Sequence, residues 1–156
     1  MVDTKFINPF IVGAVEALKI TGGLTVEGGK PFLKGHQAMA RVPIAGQLGL
    51  LSKTFKGAIT ICFEEKVFLK MLSNMFGEDV TEITRENQDG AAEILNIIYG
   101  HAKTTLNKEG YEFDRALPTV VYGEDLKTSH GKLSTLVIPL KTDFGFVYLE
   151  ICVESK

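Results

Sequence analysis

The 156-residue sequence lacks most of the features that mark a nucleic-acid-binding or membrane protein. Lysine and arginine total 17 against 19 acidic residues, and they are dispersed, so no basic stripe predicts a nucleic-acid partner. No apolar run is long enough to span a bilayer. Asp3 and Glu16 interrupt the N-terminal segment, which also lacks the basic region of a signal peptide. We therefore expect a cytoplasmic protein that contacts neither nucleic acid nor membrane.

The sequence also offers little from which to build a metal or redox site. Its two cysteines, Cys62 and Cys152, lie in apolar runs and form no CxxC pair, so both are predicted to be buried thiols. The histidines, His36, His101 and His130, are dispersed, and the segments TGG and EGGK lack the spacing of a phosphate-binding loop. We expect the chain to bind no metal or cofactor of its own.

What the sequence does contain is typical of one globular domain over residues 1–156, with 45% hydrophobic and 23% charged residues. A first helix is predicted from Asn8, as N-cap, and Pro9, at the first helical position, to the TGG segment at 21–23. A second helix is predicted over 64–76 and a third from near Thr84 to Gly110.

Strands are predicted between and after these helices. Short apolar runs from 24 to 63, among them QAMARVPI, favour a β-meander, and three further strands follow the third helix. The segment TDFG, residues 142–145, predicts a hairpin turn. Because strands joined by short turns outnumber crossover helices, we predict an α+β fold in two layers, with an antiparallel β-sheet and the long helices packed on one of its faces.

The third helix carries two poor helix formers, and its helical projection shows where they lie. At 100° per residue, one arc is predicted to face the core: Ala91, Ile94, Leu95, Ile98, Ala102, Thr105 and Leu106. The opposite arc contains Asp89, Glu93, Asn96, Ile97, Gly100, Thr104 and Asn107, with Lys103 at its margin. Asn96 and Gly100 therefore lower helix propensity on the solvent side, where core packing does not require them.

Each of these residues also has an ordinary structural explanation. A glutamate on a solvated face improves solubility, a single exposed isoleucine is common, and Gly100 could admit a closely packed neighbouring strand. On the functional interpretation, Glu93 and Asn96 are i, i+3 neighbours whose side chains can reach one external point.

The pattern D89-x-x-x-E93-x-x-N96, followed by Gly100 and Lys103, resembles the signature of the CheC/CheX/FliY phosphatases of bacterial chemotaxis. The segments INPFIVGAVEAL, VPIAGQLGLL, KGAITICFEE and LPTVVYG are also similar to that family, so the resemblance covers nearly the whole chain. The first helix offers only Glu16 and Lys19 in place of a second motif, which points to the single-site CheX branch.

The resemblance implies a phosphatase that hydrolyses the aspartyl phosphate of a CheY-type response regulator. Asn96 would orient the attacking water, as the glutamine of small GTPases does, because an amide both donates and accepts hydrogen bonds. Glu93 would pair with the regulator's active-site lysine. Asp89, Ile97, Gly100 and Lys103 would contact the partner, and the regulator would supply its own Mg²⁺.

Two further expectations accompany this assignment. The CheX branch implies a homodimer paired through sheet edges, and the apolar segments LSTLVIPL and FVYLEICV would be hazardous as unpaired edges. The alternative to an enzyme is a non-catalytic dimeric adaptor or scaffold that binds a response regulator or a flagellar switch component through the same helix.

Overall fold

The structure is a computed structural model that describes residues 4–114, 116–124, 126–128 and 134–155; His130 lies outside them. In chain order the elements are α1 (Thr4–Ile20), β1 (Glu27–Gly28), β2 (Phe32–Leu33), β3 (Ile44–Leu51), β4 (Phe55–Phe63), α2 (Glu65–Phe76), α3 (Gly90–Lys108), β5 (Thr119–Tyr122), β6 (Leu136–Thr142) and β7 (Gly145–Ser155). Among the described residues, none of the helices is long and apolar enough to cross a membrane.

The strands of the described chain form one antiparallel sheet in the order β1–β6–β7–β4–β3–β5, and β2 also pairs with β6. Alternate side chains of the long strands, such as Ile59 and Ile61 of β4 and Leu149 and Ile151 of β7, enter a core shared with all three helices. The predicted antiparallel sheet with the long helices on one face is confirmed. The predicted hairpin is also present, since Thr142 pairs with Gly145.

The second face of the sheet carries a smaller apolar cluster, which includes Ala45, Cys62, Val137 and Tyr148. The chain before β3 covers this cluster as an irregular segment, and the backbone N–H of Ala40 donates to the Tyr148 hydroxyl at 2.8 Å. The predicted strand in QAMARVPI is therefore wrong over residues 37–43, which lie across the sheet, and only Ile44 joins it as the first residue of β3. The meander is also wrong, since β1 and β2 pair with the distant strand β6.

Helix α1 begins one turn earlier than predicted. It starts at Thr4, so Asn8 is not its N-cap and Pro9 lies inside it. The added turn buries Phe6, whose ring lies 5.5 Å from that of Tyr111 and 5.7 Å from that of Phe113, between centroids. Aromatic burial on this scale outweighs the cost of about 3 kcal/mol for a proline within a helix.

Helix α3 begins later than predicted, at Gly90 instead of near Thr84. The Thr84 hydroxyl accepts from the N–H of Asn87 at 3.2 Å, and the Asn87 side-chain oxygen accepts from the N–H of Thr84 at 2.8 Å. This reciprocal pair closes a separate turn, followed by the 3-10 helix Asn87–Asp89. Thr84 therefore begins the turn that leads into the 3-10 helix, and the α-helix itself begins at Gly90.

The sheet edges differ from those assumed for dimer pairing. Strand β7 lies at the centre, and β6 is covered by β1 and β2, so neither is a free edge. In the described chain the outermost strand at the other side is β5, where Tyr122 is exposed and Leu117 precedes the strand with 84% of its surface exposed. The argument for a dimer from the apolar segments of β6 and β7 is wrong.

The two halves of the chain follow the same order, although their sequences show no close repeat. Each half runs from a long helix through a short strand or strands to a hairpin: α1 to β3–β4, and α3 to β6–β7. The short strands are exchanged between halves, because β1 and β2 pair with β6 while β5 pairs with β3. Neither half completes its own part of the sheet.

Candidate functional site

The outer face of α3 is exposed as the helical projection predicts. Its members all lie at the surface: Asp89, Glu93, Asn96, Ile97, Gly100, Thr104 and Asn107. The predicted inner face is correct except at two positions, since Thr105 is exposed and Tyr99, which the projection did not place, is buried. A tyrosine can bury its ring while its hydroxyl reaches a polar group, and Tyr99 does so by donating to the backbone carbonyl of Asp114.

Glu93 and Asn96 lie side by side on this exposed face. Their separation of three residues brings their Cβ atoms within about 5–6 Å of each other. Neither side chain makes a hydrogen bond or an ion pair with any residue that the structure describes. Glu93 lies in the first turn of α3, where the helix dipole also favours a negative charge. The two polar groups are thus free to bind an external partner.

Ile97 and Gly100 extend this face along the helix. Ile97 is 43% exposed and places an aliphatic side chain beside the two polar ones. A Cβ added at Gly100 would find no heavy atom of the described residues within 4 Å, so the glycine does not accommodate any of the described strands. Asp89, the N-cap residue, makes no capping hydrogen bond with its side chain and remains exposed.

Lys103 lies at the margin of the same face. It is half-buried, and its Nζ atom lies 5.9 Å from the centroid of the Tyr99 ring. Seven residues separate it from Asn96, which corresponds to about 10 Å along the helix axis. The structure therefore groups Glu93, Asn96, Ile97 and Gly100 closely and places Lys103 further along.

Two glycines outside α3 fix the position of this helix. A Cβ at Gly46 of β3 would lie 3.0 Å from the carbonyl oxygen of Ala91, and one at Gly13 of α1 would lie 3.2 Å from that of Ile98. Helix α3 therefore packs closely against both the sheet and α1. The sequence analysis did not identify either glycine, and only their small size inside predicted elements signalled a close contact.

Helix α1 runs beside α3 in the opposite direction. The Glu16 carboxylate lies 3.8 Å from Nδ1 of His101, and the ion pair forms when that imidazole is protonated. Glu16 and Lys19 are both exposed. Lys19 carries no amide, so the pair on α1 cannot reproduce the chemistry available to Glu93 and Asn96.

The described residues contain no group of three or more His, Cys, Asp or Glu side chains that could hold a metal ion. Cys62 and Cys152 are buried and unbridged, as predicted. Burial, followed by the nearby charge of Glu150, raises the pKa of the Cys62 thiol, and burial raises that of Cys152. Both thiols remain protonated at neutral pH and are unsuited to nucleophilic catalysis.

Comparison with protein families identifies a match over residues 44–141, more than half of the chain, to the family described as chemotaxis phosphatase CheX. The matched segment contains the whole of α3 and its outer face. A curated relative, the CheY-P phosphatase CheX of Thermotoga maritima, is 26% identical over 148 residues and is aligned over 92% of this chain and 93% of its own.

Solved structures of similar fold cover almost the whole chain. A CheC-like superfamily protein from Shewanella sp. PV-4 superposes with a TM-score of 0.90 at 34% identity, covering 98% of this chain and 99% of its own. One chain of the structure of the CheX–CheY–BeF3–Mg²⁺ complex from Borrelia burgdorferi superposes with a TM-score of 0.79 at 26% identity. The superposition covers 99% of this chain and 99% of that chain.

Proposed function

The chain belongs to the CheX family of chemotaxis phosphatases, and we propose that it hydrolyses the aspartyl phosphate of a CheY-type response regulator, with residues 1–156 acting as one phosphatase domain. The observation that carries this proposal is the exposed Glu93–Asn96 pair on a firmly packed helix, with both side chains free of partners in the described chain. The names of the Thermotoga relative and of the Borrelia complex support the same substrate class.

Asn96 orients the attacking water. Its amide oxygen accepts one hydrogen bond from the water, and its NH₂ group donates another, which holds the lone pair in line with the scissile bond. The water oxygen forms a bond to phosphorus, the bond from phosphorus to the aspartyl oxygen breaks, and the water protons leave with the phosphate. An acyl phosphate is already reactive, so positioning contributes most of the acceleration.

Glu93 docks the regulator by pairing with the lysine of its active site. A carboxylate one turn from Asn96 fixes the register of the complex, because a charge-assisted hydrogen bond is strong and directional. Ile97 adds an apolar contact, and Gly100 allows the partner backbone to approach α3. Asp89 and Lys103 contact the partner at the two ends of the face.

The Mg²⁺ ion required for the chemistry belongs to the regulator in this proposal. The composition of the Borrelia complex, in which CheX is accompanied by CheY and Mg²⁺, is consistent with a metal that arrives with the partner. A site on the regulator places the ion beside its own phosphoryl group, where it neutralises the developing charge. The chain itself then needs only to bind and to orient water.

A non-catalytic adaptor would use the same helix face for binding alone. The two functions are separated by adding the purified protein to a phosphorylated CheY-type regulator with Mg²⁺ and following inorganic phosphate. We expect phosphate release well above the rate of the regulator alone, and an Asn96→Ala variant that binds but does not accelerate release. Binding by the parent protein without acceleration would establish the adaptor.

We also propose that the protein is a cytoplasmic homodimer. The exposed strand β5 is the candidate contact, since an open strand edge with exposed apolar side chains such as Tyr122 favours pairing. Light scattering at micromolar concentration should give twice the chain mass of 17.1 kDa. A mass of one chain under those conditions would contradict the dimer.

A further inference from the structure

The outer face of α3 is too narrow to hold a regulator alone. Its 19 residues form a helix about 28 Å long, and the exposed arc is about 10 Å wide, which gives a footprint of roughly 300 Å². Even small transient signalling complexes bury on the order of 500 Å² on each partner. A regulator docked at Glu93 and Asn96 must therefore also contact a second element, and the helix packed beside α3 is α1.

The packing of α1 shows which of its residues flank the pair. Gly13 contacts Ile98 and His101 of α3, and Glu16 lies beside His101. Ile20 falls within about 60° of Gly13 and Glu16 around α1, so it lies on the flank that faces α3.

Because α1 and α3 are antiparallel, the position of Ile20 along α3 can be derived from its distance to Gly13. Seven residues beyond Gly13, it lies about 10 Å further along α1, toward the beginning of α3 and level with Glu93. Its side chain is 79% exposed, although it is a large aliphatic residue.

Ile97 completes this arrangement from the other helix. On α3 it lies between the outer arc and the flank that contacts α1, and it is also exposed. Two isoleucines thus border the groove between α1 and α3 beside the polar pair, and neither contributes to the core. Burying an exposed isoleucine against a partner removes apolar surface from water and therefore favours binding.

We propose that α1 is the second half of the docking surface and that Ile20 is a specificity-determining residue for the phosphorylated regulator. This inference rests on the proposed function. Ile20 and Ile97 bind an apolar patch of the regulator beside its active-site lysine, while Glu16 lies at the centre of the shared surface. Asn96 alone orients water, so Ile20 affects binding and not the chemical step.

The test is Ile20→Ser, with Leu33→Ser as its matched control. Leu33 is an aliphatic residue that is 46% exposed. It lies on β2, which pairs with β6 at the end of the sheet away from β5. Phosphate release is measured over a range of regulator concentrations, and thermal unfolding is followed for each variant. We expect Ile20→Ser to raise KM about 5- to 10-fold with kcat and Tm unchanged, as for an interface anchor, and Leu33→Ser to match the parent.

The experiment distinguishes a failure of the inference about α1 from a failure of the proposed function. If the parent protein accelerates release and Ile20→Ser has the parental KM, the inference about α1 is overturned while the proposed function stands. A fall in kcat at unchanged KM would also overturn it. If the parent itself accelerates nothing, the proposed function fails. Affinity for a phosphorylated regulator, measured separately by titration, then reports whether Ile20 still contributes to binding.

Discussion

At the scale of single residues, Asn96 and Glu93 occupy neighbouring positions, and the roles proposed for them can be separated by mutation. Replacing Asn96 by Ala removes the group that orients water, so kcat should fall on the order of 10² to 10³-fold while KM changes little. The exposed helix should gain a few tenths of a kcal/mol of stability, because Ala is the better helix former. Steady-state kinetics and thermal unfolding of the same preparation check both effects, and parental turnover by Asn96→Ala would eliminate the proposed role.

Glu93→Ala should produce a different pattern. Loss of the charge-assisted contact with the regulator's lysine is expected to raise KM roughly 10-fold, with a smaller effect on kcat. Because the contact is electrostatic, the KM of the parent should rise with salt more steeply than that of the variant. Measurement of KM at low and high ionic strength tests this, and equal salt dependence would show that Glu93 does not meet a positive charge.

The buried thiols predict a pH dependence of stability. Burial raises the pKa of Cys62 above its value in the unfolded chain, which is about 8.5, so the folded state retains a proton that the unfolded state loses. This contribution of Cys62 to stability is complete below the pKa of the unfolded thiol and decreases above it, by about 1.4 kcal/mol per pH unit. Urea unfolding at pH 7.5, 9 and 10 should show the decline, and Cys62→Ala should have a shallower slope.

At the scale of elements, α3 contains a conflict between stability and binding at Gly100. The position is open, so Gly100→Ala should stabilise the protein by about 1 kcal/mol and raise Tm by about 2–4 °C. In the proposed complex the added methyl group would face the partner, so KM should increase in the same variant. Calorimetry and kinetics together test this prediction; a stabilised variant with an unchanged KM would show that the partner does not approach the helix at this point.

Helix periodicity predicted the core and exposed faces of α3 well, because they depend on a regular 3.6-residue repeat within one element. Helix starts were predicted less well, since they depend on contacts distant in sequence. Pro9 appeared to begin α1, but the rings packed around Phe6 extend that helix across the proline. Likewise, the Thr84–Asn87 hydrogen bonds form a turn where the sequence was equally compatible with a helix.

The site was predictable from sequence only on α3 itself. Glu93, Asn96, Ile97 and Gly100 share one arc of one helix, and the resemblance to a family gave that arc a chemical meaning. The docking role proposed for Ile20 was not predictable, because it depends on how α1 packs beside α3. No local pattern in the sequence specifies that packing.

At the scale of the whole molecule, stability depends on the close pairing of β4 and β7. A Cβ at Gly57 would lie 2.0 Å from the carbonyl oxygen of Cys152, a backbone atom that cannot move without disturbing the centre of the sheet. Gly57→Ala should therefore lower the free energy of unfolding by at least about 2 kcal/mol. Gly49→Ala, in the neighbouring strand but in open space, is the control and should be neutral. Urea unfolding of both variants makes the comparison, and equal stability would contradict the close contact.

Strand existence was easier to predict than strand pairing. The apolar runs of β3, β4, β6 and β7 predict strands from local sequence alone. The exchange of short strands between halves, by contrast, depends on the packing of the complete sheet. Two-residue strands such as β1 leave no periodic signal. The free edge was misjudged for the same reason, since β7, whose apolar segment was expected to be hazardous as an edge, lies at the centre of the sheet.

The pairing of β4 with β7, which joins the two halves of the sheet, has a consequence for biosynthesis. Thr60 of β4 pairs with Glu150 of β7, 90 residues later in the sequence. At about 5–20 residues per second, the ribosome needs roughly 5 to 20 seconds to deliver the second strand after the first. For that interval the β3–β4 hairpin carries an unpaired strand edge, which only β7 covers in the folded protein. The nascent chain is therefore most vulnerable to aggregation midway through translation, when a holding chaperone would be of greatest use.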